Sequence, residues 1–194
     1  DLNGVVDALN YLTASNKINF GDNVPSFNDG TLNAAGKRVV VIGGGDTAMD
    51  CVRTAIRQGA KSVKCMYRRD RDNMPGSQRE VQNAEEEGVI FEWLTTPQGF
   101  TSNTKTENVV NLETGHGAVK GVIGRKMRLG APDATGRRVP EEIDGSDYNE
   151  PADLVIKALG FEPEDLPTLW DQSELTVTRS VSYTHLTLPT IRWV

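Results

Sequence analysis

Residues 38–48, RVVVIGGGDTA, decide the fold of this chain. The apolar run 39–42 predicts a buried strand, three glycines predict a tight turn, and a helical pattern begins directly afterwards. Gly43, Gly45 and Ala48 fit the dinucleotide pattern G-x-G-x-x-G/A. In this pattern the first glycine permits the turn, the second leaves room for a pyrophosphate, and the small third residue lets the helix pack closely on the strand. The free N–H groups and the positive dipole end of the helix then face the phosphates.

The residues after the turn complete a β-turn-α-β unit. Apolar residues recur at helical spacing over 48–56, Gly59 ends the helix, and 62–67 predicts a second strand in which Val63, Cys65 and Tyr67 alternate with their neighbours. The whole unit takes about 30 residues, as the dinucleotide motif requires. The alternative is a glycine turn in an ordinary α/β domain that binds no ligand.

Two arginines follow the second strand. Arg68 and Arg69 stand where an acidic residue would contact the ribose 2′-OH of NAD, and paired guanidinium groups instead suit a 2′-phosphate. We therefore predict NADP(H) as the dinucleotide. The alternative is a solvated basic loop balanced by Asp70 and Asp72.

Two residues of the predicted helix start have roles of their own. Thr47 could add a hydroxyl donor to the phosphate site. A carboxylate beside a diphosphate would repel it, so we expect Asp46 to point away from the phosphates or to accept a backbone N–H.

The bulk composition restricts the function class. The 194 residues carry a formal net charge of −6, which argues against general nucleic-acid affinity. No apolar run in the given sequence approaches the length of a membrane span, and we expect no secretory signal. Cys51 and Cys65 have no metal-site spacing and are expected to be buried residues of a reduced, cytoplasmic protein. His116 and His185 have no evident partners, so neither a metal site nor a catalytic residue is predicted.

The remaining pattern predicts an α/β fold with a parallel sheet and an inserted antiparallel meander. We expect a helix over 3–16, a loop over 19–36, a capping box at 77–80 that opens a helix to about residue 87, and a third strand over 89–93. Short antiparallel strands are predicted at 95–97, 108–112 and 119–129, with turns at 114–117 and 130–136. The last parallel strand is predicted over 153–158. Because the chain begins at Asp1 and enters structure almost at once, we expect it to be part of a longer protein.

Several strings of sequence support a family resemblance. KRVVVIGGGDTAMDC at 37–51, MYRRDR at 66–71, NMPGS at 73–77, REV at 79–81 and AEEEG at 84–88 together resemble the small (β) subunit of NADPH-dependent glutamate synthase. The resemblance covers about residues 1–179. It implies a Rossmann-like NAD(P)-binding domain from a flavoprotein with two dinucleotide-binding domains, in which the NADPH domain is inserted within the FAD domain.

The resemblance also implies a domain division. Residues 1–36 would be a crossing segment from the FAD domain, 37–160 the NADPH-binding domain, and 161–179 the return segment. The segment 158–163, ALGFEP, is similar to the A-x-G-x-x-P stretch of these proteins, which places Gly160 near the bound nucleotides. The alternative is a strand end followed by a proline-opened helix over 163–170. Residues 180–194 depart from the family pattern and resemble a translated adapter sequence, so we interpret them as non-native; the alternative is a genuine β-prone tail.

The activity implied by the resemblance is transfer of electrons from NADPH to FAD. In the complete protein they would continue through iron–sulfur clusters to the glutamate synthase large subunit, which makes glutamate from glutamine and 2-oxoglutarate. The segment alone is expected to be inactive. Alternatives with the same architecture are a subunit of an NADPH-dependent ferredoxin oxidoreductase, a dihydropyrimidine dehydrogenase-like subunit, and a non-catalytic NADP-binding module.

One residue after the double arginine differs from the pattern of a related branch of these flavoproteins. In the thioredoxin-reductase branch a further arginine follows four positions after the double arginine, where this chain has Asn73. Arg71 or Arg79 could take its place. The predicted cofactor-binding residues are Gly43, Gly44, Gly45, Asp46, Thr47, Ala48, Arg68, Arg69 and Gly160.

Overall fold

The computed structural model describes residues 2–103, 117–134, 136, 138–160, 166–169 and 171. The described strands are β1 (Val5–Asp7), β2 (Arg38–Ile42), β3 (Ser62–Tyr67), β4 (Ile90–Trp93), β5 (Thr95–Ser102), β6 (Val119–Pro132), β7 (Arg138–Glu142), β8 (Tyr148–Pro151) and β9 (Leu154–Lys157). The described helices are α1 (Ala8–Asn19), α2 (Pro25–Asn28), α3 (Asp46–Arg57), α4 (Gln78–Glu86) and α5 (Leu166–Leu169), with a 3₁₀ turn at Arg71–Asn73.

A five-stranded parallel sheet forms the centre of the first unit, Asp1–Leu159. Its strand order is β1-β9-β2-β3-β4, and every neighbouring pair is parallel. The valine-rich strand β2 lies in the middle, with residues 39–42 all buried. Strands that are covered on both faces read as continuous apolar runs, which is why this segment shows no alternation with polar residues.

Each face of the sheet has its own core. On one face, Val39 and Val41 pack with Ala48 and Val52 of α3. On the other, Val40 and Ile42 join a cluster that includes Phe100 of β5. The helices and the second sheet therefore cover opposite faces of the parallel sheet.

The second sheet is antiparallel. Strand β6 is long and pairs with β5, β7 and β8. This sheet lies in the chain between β4 and β9, so the predicted meander before the last parallel strand is confirmed. The predicted strand at 108–112 lies outside the described residues. Strands β7 and β8 were not predicted, because their residues are mostly exposed and polar and show no buried face.

The start of the chain differs from the expectation. Residues 3–16 were predicted as one helix, but Val5–Asp7 is a strand that pairs with β9, and the helix runs over Ala8–Asn19. Gly4, at φ +88°, turns the chain before the strand, and the β-branched Val5 and Val6 suit a pleated surface. The predicted loop at 19–36 also contains the short helix α2.

The second unit is Gly160–Val194. Its described helix α5 falls within the helix over 163–170 that was given as the alternative for this segment. Residues 161–165 and 170 lie outside the described part of the chain. The tail 180–194 also lies outside it. In the part of the chain that is described, no helix is both long and apolar enough for a bilayer crossing.

Candidate functional site

The glycine turn begins at a position that only glycine accommodates. Gly43 has φ +144°, and its N–H donates to the carbonyl of Met66 at 3.1 Å. A Cβ built at this position would lie 2.2 Å from the carbonyl oxygen of Ala158. The turn therefore sits between the ends of β3 and β9, and its first glycine is required by both dihedral angle and space.

The next two glycines differ from each other. A Cβ at Gly44 would lie 2.4 Å from the ring of Tyr67, so this position is closed by protein. A Cβ at Gly45 would meet nothing within 4 Å. The turn is thus packed against the sheet on one side and open at Gly45, where the predicted pyrophosphate requires room.

Helix α3 starts at the open glycine. Gly45 is its N-cap, and no side chain caps the first turn. Ala48 is fully buried against the sheet, which fits the close helix–strand packing predicted for a small residue at this position. Thr47 is half-buried in the same first turn. A 12-residue helix with an uncapped N-terminus and an open approach is suited to binding an anion.

The carboxylate of Asp46 accepts a hydrogen bond from protein backbone. Its Oδ1 accepts from the backbone N–H of Ser77 at 2.8 Å. Acceptance of a backbone N–H was one of the two arrangements expected from the sequence. A capping box was predicted at 77–80, and Ser77 is indeed the N-cap of α4. The hydrogen bond expected from its side chain is absent, so this part of the prediction is wrong. Its own N–H is instead used by Asp46.

Arg69 is held in place by the loop that follows it. A terminal nitrogen of its guanidinium donates to Asn73 Oδ1 at 2.6 Å and to the carbonyl of Arg138 at 3.3 Å. Asn73 in turn donates to Asp70 through its side chain and its backbone. Within the described residues, the Nε of Arg69 is buried and has no hydrogen-bond partner. A buried donor without a partner costs free energy.

Arg68 is exposed and forms no ion pair with the described part of the chain. Asp70, one of the two residues proposed to balance it, is instead used by Asn73. Of the two possible additional arginines, Arg71 binds both oxygens of Glu85 at 2.8 Å. Arg79 is exposed on α4.

Sequence reasoning missed two contributors to this site. Tyr67 covers Gly44 with its ring and donates its hydroxyl to the carbonyl of Asn73 at 2.9 Å. Asn73 was noted only as a missing arginine, although its position four residues after Arg69 was the available signal. Gly160, at φ +104°, belongs to the second unit, and its nucleotide contact stays a prediction.

The two cysteines are buried and free. Burial raises the pKa of Cys51 and of Cys65 to about 12, so both are neutral thiols at ordinary pH. The thiol of Cys65 donates to the carbonyl oxygen of Gly43 at 3.3 Å and so contacts the glycine turn. Among the described residues, no group of three or more His, Cys, Asp or Glu side chains could hold a metal ion.

Comparison with known proteins gives relatives for almost the whole chain. A "Putative glutamate synthase [NADPH] small chain" of Cereibacter sphaeroides is 68% identical over 176 residues, which are 91% of this chain and 39% of that protein. The "Glutamate synthase [NADPH] small chain" of Azospirillum brasilense is 61% identical over 92% of this chain and 34% of its own length. The resemblance drawn from the sequence strings is therefore confirmed, and the chain spans only about a third of these relatives.

The fold is shared with a solved structure of low sequence identity. The structure described as Mycobacterium tuberculosis FprA in complex with NADPH aligns with a TM-score of 0.60 at 17% identity, over 84% of this chain and 46% of that one. This likeness confirms the predicted α/β fold class. The profile of the pyridine nucleotide-disulphide oxidoreductases matches residues 2–183. The chain belongs to the pyridine nucleotide-disulphide oxidoreductase family.

Proposed function

We propose that this chain is the NADPH-binding part of an FAD-dependent oxidoreductase that passes electrons from NADPH to FAD. The observation that carries the proposal is the open glycine turn at the N-terminus of α3, together with the two arginines that follow the neighbouring strand β3. The names of the relatives, which specify NADPH, support the same choice of cofactor.

The pyrophosphate would lie at Gly45. A cofactor phosphate could approach the backbone here because no protein atom occupies the space of a Cβ. The N–H groups of the first turn of α3 would donate to its oxygens, and the helix dipole would add a favourable partial charge. Asp46 directs one carboxylate oxygen to Ser77, which provides this charge with a partner other than the phosphates.

The 2′-phosphate would lie between Arg68 and Arg69. The exposed guanidinium of Arg68 is available to solvent, whereas that of Arg69 is oriented by Asn73. Charge-assisted hydrogen bonds from two guanidinium groups would favour the phosphorylated dinucleotide over NADH.

The chemistry itself would come from the bound cofactors: NADPH supplies a hydride and FAD accepts it. The residues of this chain would position the nicotinamide by fixing the adenylate end, and no catalytic acid or base is assigned to them. The predicted limits, with the NADPH domain at 37–160 between a crossing segment 1–36 and a return segment 161–179, stay predictions. Strand β1, within the first segment, pairs with β9 of the central sheet.

The complete protein would serve glutamate synthesis. By analogy with the relatives, electrons would pass from FAD through iron–sulfur clusters to a large subunit that converts glutamine and 2-oxoglutarate to glutamate. The chain alone would bind NADPH without making glutamate. A cytoplasmic location and a non-native tail at 180–194 are part of the same proposal.

Binding of the two dinucleotides tests the proposal. The 194-residue chain is titrated with NADPH and with NADH by calorimetry, beside variants Arg68→Ala and Arg69→Ala. Each variant should lose about 1.5–3 kcal/mol of NADPH binding, or roughly ten-fold or more in affinity, because a charge-assisted hydrogen bond is removed. NADH binding should change little.

Arg57→Ala provides the matched control. Arg57 is an arginine at the opposite end of α3, where it pairs with Glu87. The substitution Arg57→Ala removes the same charge as the other two variants but lies away from the predicted phosphate site, so NADPH affinity should stay close to that of the unaltered chain. Equal losses of NADPH and NADH affinity in the Arg68 and Arg69 variants would contradict the assigned roles.

A further inference from the structure

The loop after β3 is fastened to the glycine turn at two points. We call residues 68–77 the arginine loop. Near its end, the N–H of Gly76 donates to the carbonyl of Gly44 at 2.9 Å, and the N–H of Ser77 donates to Asp46 Oδ1 at 2.8 Å. A Cβ at Gly76 would lie 3.0 Å from the Gly44 oxygen, so the two backbones are in close contact. The predicted pyrophosphate turn and the arginine loop are thus physically joined.

The other end of the loop carries the arginine that needs positioning. Arg69 donates to Asn73 Oδ1, and the carbonyl of Asn73 accepts from the hydroxyl of Tyr67. Only Met74 and Pro75 separate Asn73 from Gly76. Met74 is buried in the core shared with α3, so this short stretch is anchored between its two ends. A change at the Asp46–Ser77 bond therefore acts within a few residues of the contact that orients Arg69.

We infer that Asp46 is a positioning residue for selection of the 2′-phosphate: by binding the Ser77 N–H it holds the arginine loop, and with it Arg69, against the glycine turn. The inference rests on the proposed function, because it concerns the same cofactor site. It gives the carboxylate at the start of α3 a role that is distinct from contact with the phosphates. It also explains why a negative charge is compatible with a site for a diphosphate.

Two other roles for Asp46 make different predictions. A carboxylate in the first turn of a helix stabilises the helix through its dipole, which would affect folding but not the choice between NADPH and NADH. A carboxylate that merely repels the pyrophosphate would weaken both dinucleotides equally, since they share that group. Only the positioning role couples Asp46 to the 2′-phosphate.

The test measures the ratio of NADPH to NADH affinity in the full 194-residue chain. Asp46→Ala should lower this ratio about three- to ten-fold, the effect of one lost hydrogen bond on the order of 1 kcal/mol. Asp46→Asn should retain most of the preference, because its amide oxygen can still accept from Ser77. Asp50→Ala is the matched control: it removes an exposed carboxylate one turn later on α3 and should leave the ratio unchanged.

A second variant breaks the same bond from the other side. Ser77 has φ −56°, which proline can adopt, and proline has no N–H to donate. Ser77→Pro should lower the ratio at least as far as Asp46→Ala does, and adding Ser77→Pro to Asp46→Ala should cause no further loss, because the hydrogen bond is already absent. Thermal unfolding without cofactor shows whether each variant folds. If Asp46→Ala does not fold, the affinity ratios of the single variants Ser77→Pro and Asp46→Asn are compared instead: a lowered ratio in the first and a retained ratio in the second support the positioning role.

The outcomes separate this inference from the proposed function. An unaltered chain that binds neither dinucleotide, or does not prefer NADPH, overturns the proposed function and the inference with it. A chain that prefers NADPH and depends on Arg69, but whose ratio is unchanged in Asp46→Ala and Ser77→Pro, overturns the inference alone. Tighter binding of both dinucleotides in Asp46→Ala would also overturn it and indicate simple repulsion.

Discussion

Replacing Gly43 by alanine should destabilise the fold strongly. The residue has φ +144°, a region that non-glycine residues rarely adopt, at a cost of about 1–3 kcal/mol. The new Cβ would also lie 2.2 Å from the Ala158 carbonyl oxygen, and relief of such a contact by backbone movement costs roughly another 1–3 kcal/mol. The sum, about 2–6 kcal/mol, is a large fraction of the roughly 5–15 kcal/mol that stabilises a domain.

Gly45→Ala is the matched comparison within the same turn. Gly45 has φ −88°, and its added methyl would contact nothing, so the stability should fall by no more than about 1 kcal/mol, the cost of alanine at an N-cap. NADPH affinity should nevertheless fall at least about ten-fold, because the methyl occupies the space predicted for the pyrophosphate. The pair therefore separates a glycine needed for folding from one needed for binding.

Urea unfolding and calorimetric titration of both variants provide the assay. We expect Gly43→Ala to lower the urea midpoint of unfolding markedly, and Gly45→Ala to keep the midpoint but to lose NADPH affinity. A Gly43→Ala chain as stable as the unaltered one would show that neither the dihedral angle nor the contact with Ala158 requires glycine at this position. Unchanged NADPH affinity in Gly45→Ala would refute the placement of the pyrophosphate.

Two further predictions concern the rest of the described chain. Hydrogen bonds from Arg38 hold the pKa of Asp153 well below its usual value, so the pair's contribution to stability is complete above about pH 4 and is lost as the pH falls through the lowered pKa. Between about pH 5 and 2, the free energy of unfolding measured with urea should therefore fall less in Asp153→Asn than in the unaltered chain. An equal fall in both would contradict the pairing. Cys51 and Cys65, buried with pKa values of about 12, should resist alkylation at neutral pH in the folded chain and react after denaturation; mass spectrometry checks this, and rapid modification of the native chain would contradict their burial.

The parts of the fold that were predictable are those set by local sequence. An apolar run, a glycine turn and a helical period over 38–57 specify β2, the turn and α3 without reference to the rest of the chain. Strand β1 was missed because its backbone partner, β9, lies about 150 residues away and the valines at 5 and 6 also fit a helical spacing. Long-range pairing of this kind leaves no local signal.

The candidate site shows the same division. The motif predicts that glycine is needed at 43 for the turn and at 45 for space. The charge of Asp46 predicts that this carboxylate needs a partner other than a phosphate. The identity of that partner, the Ser77 N–H, depends on how the loop folds back over the turn. The capping-box pattern suggested a different use of Ser77, and tertiary contact decided between the two.

A crystal structure of the 194-residue chain with bound NADP⁺ would show directly whether the glycine turn and the two arginines bind one dinucleotide. The proposed placement has the pyrophosphate within hydrogen-bond distance of the first-turn N–H groups of α3, and the 2′-phosphate in contact with Arg68 and Arg69. A dinucleotide bound elsewhere, with Gly45 uncovered and both guanidinium groups directed into solvent, would contradict it.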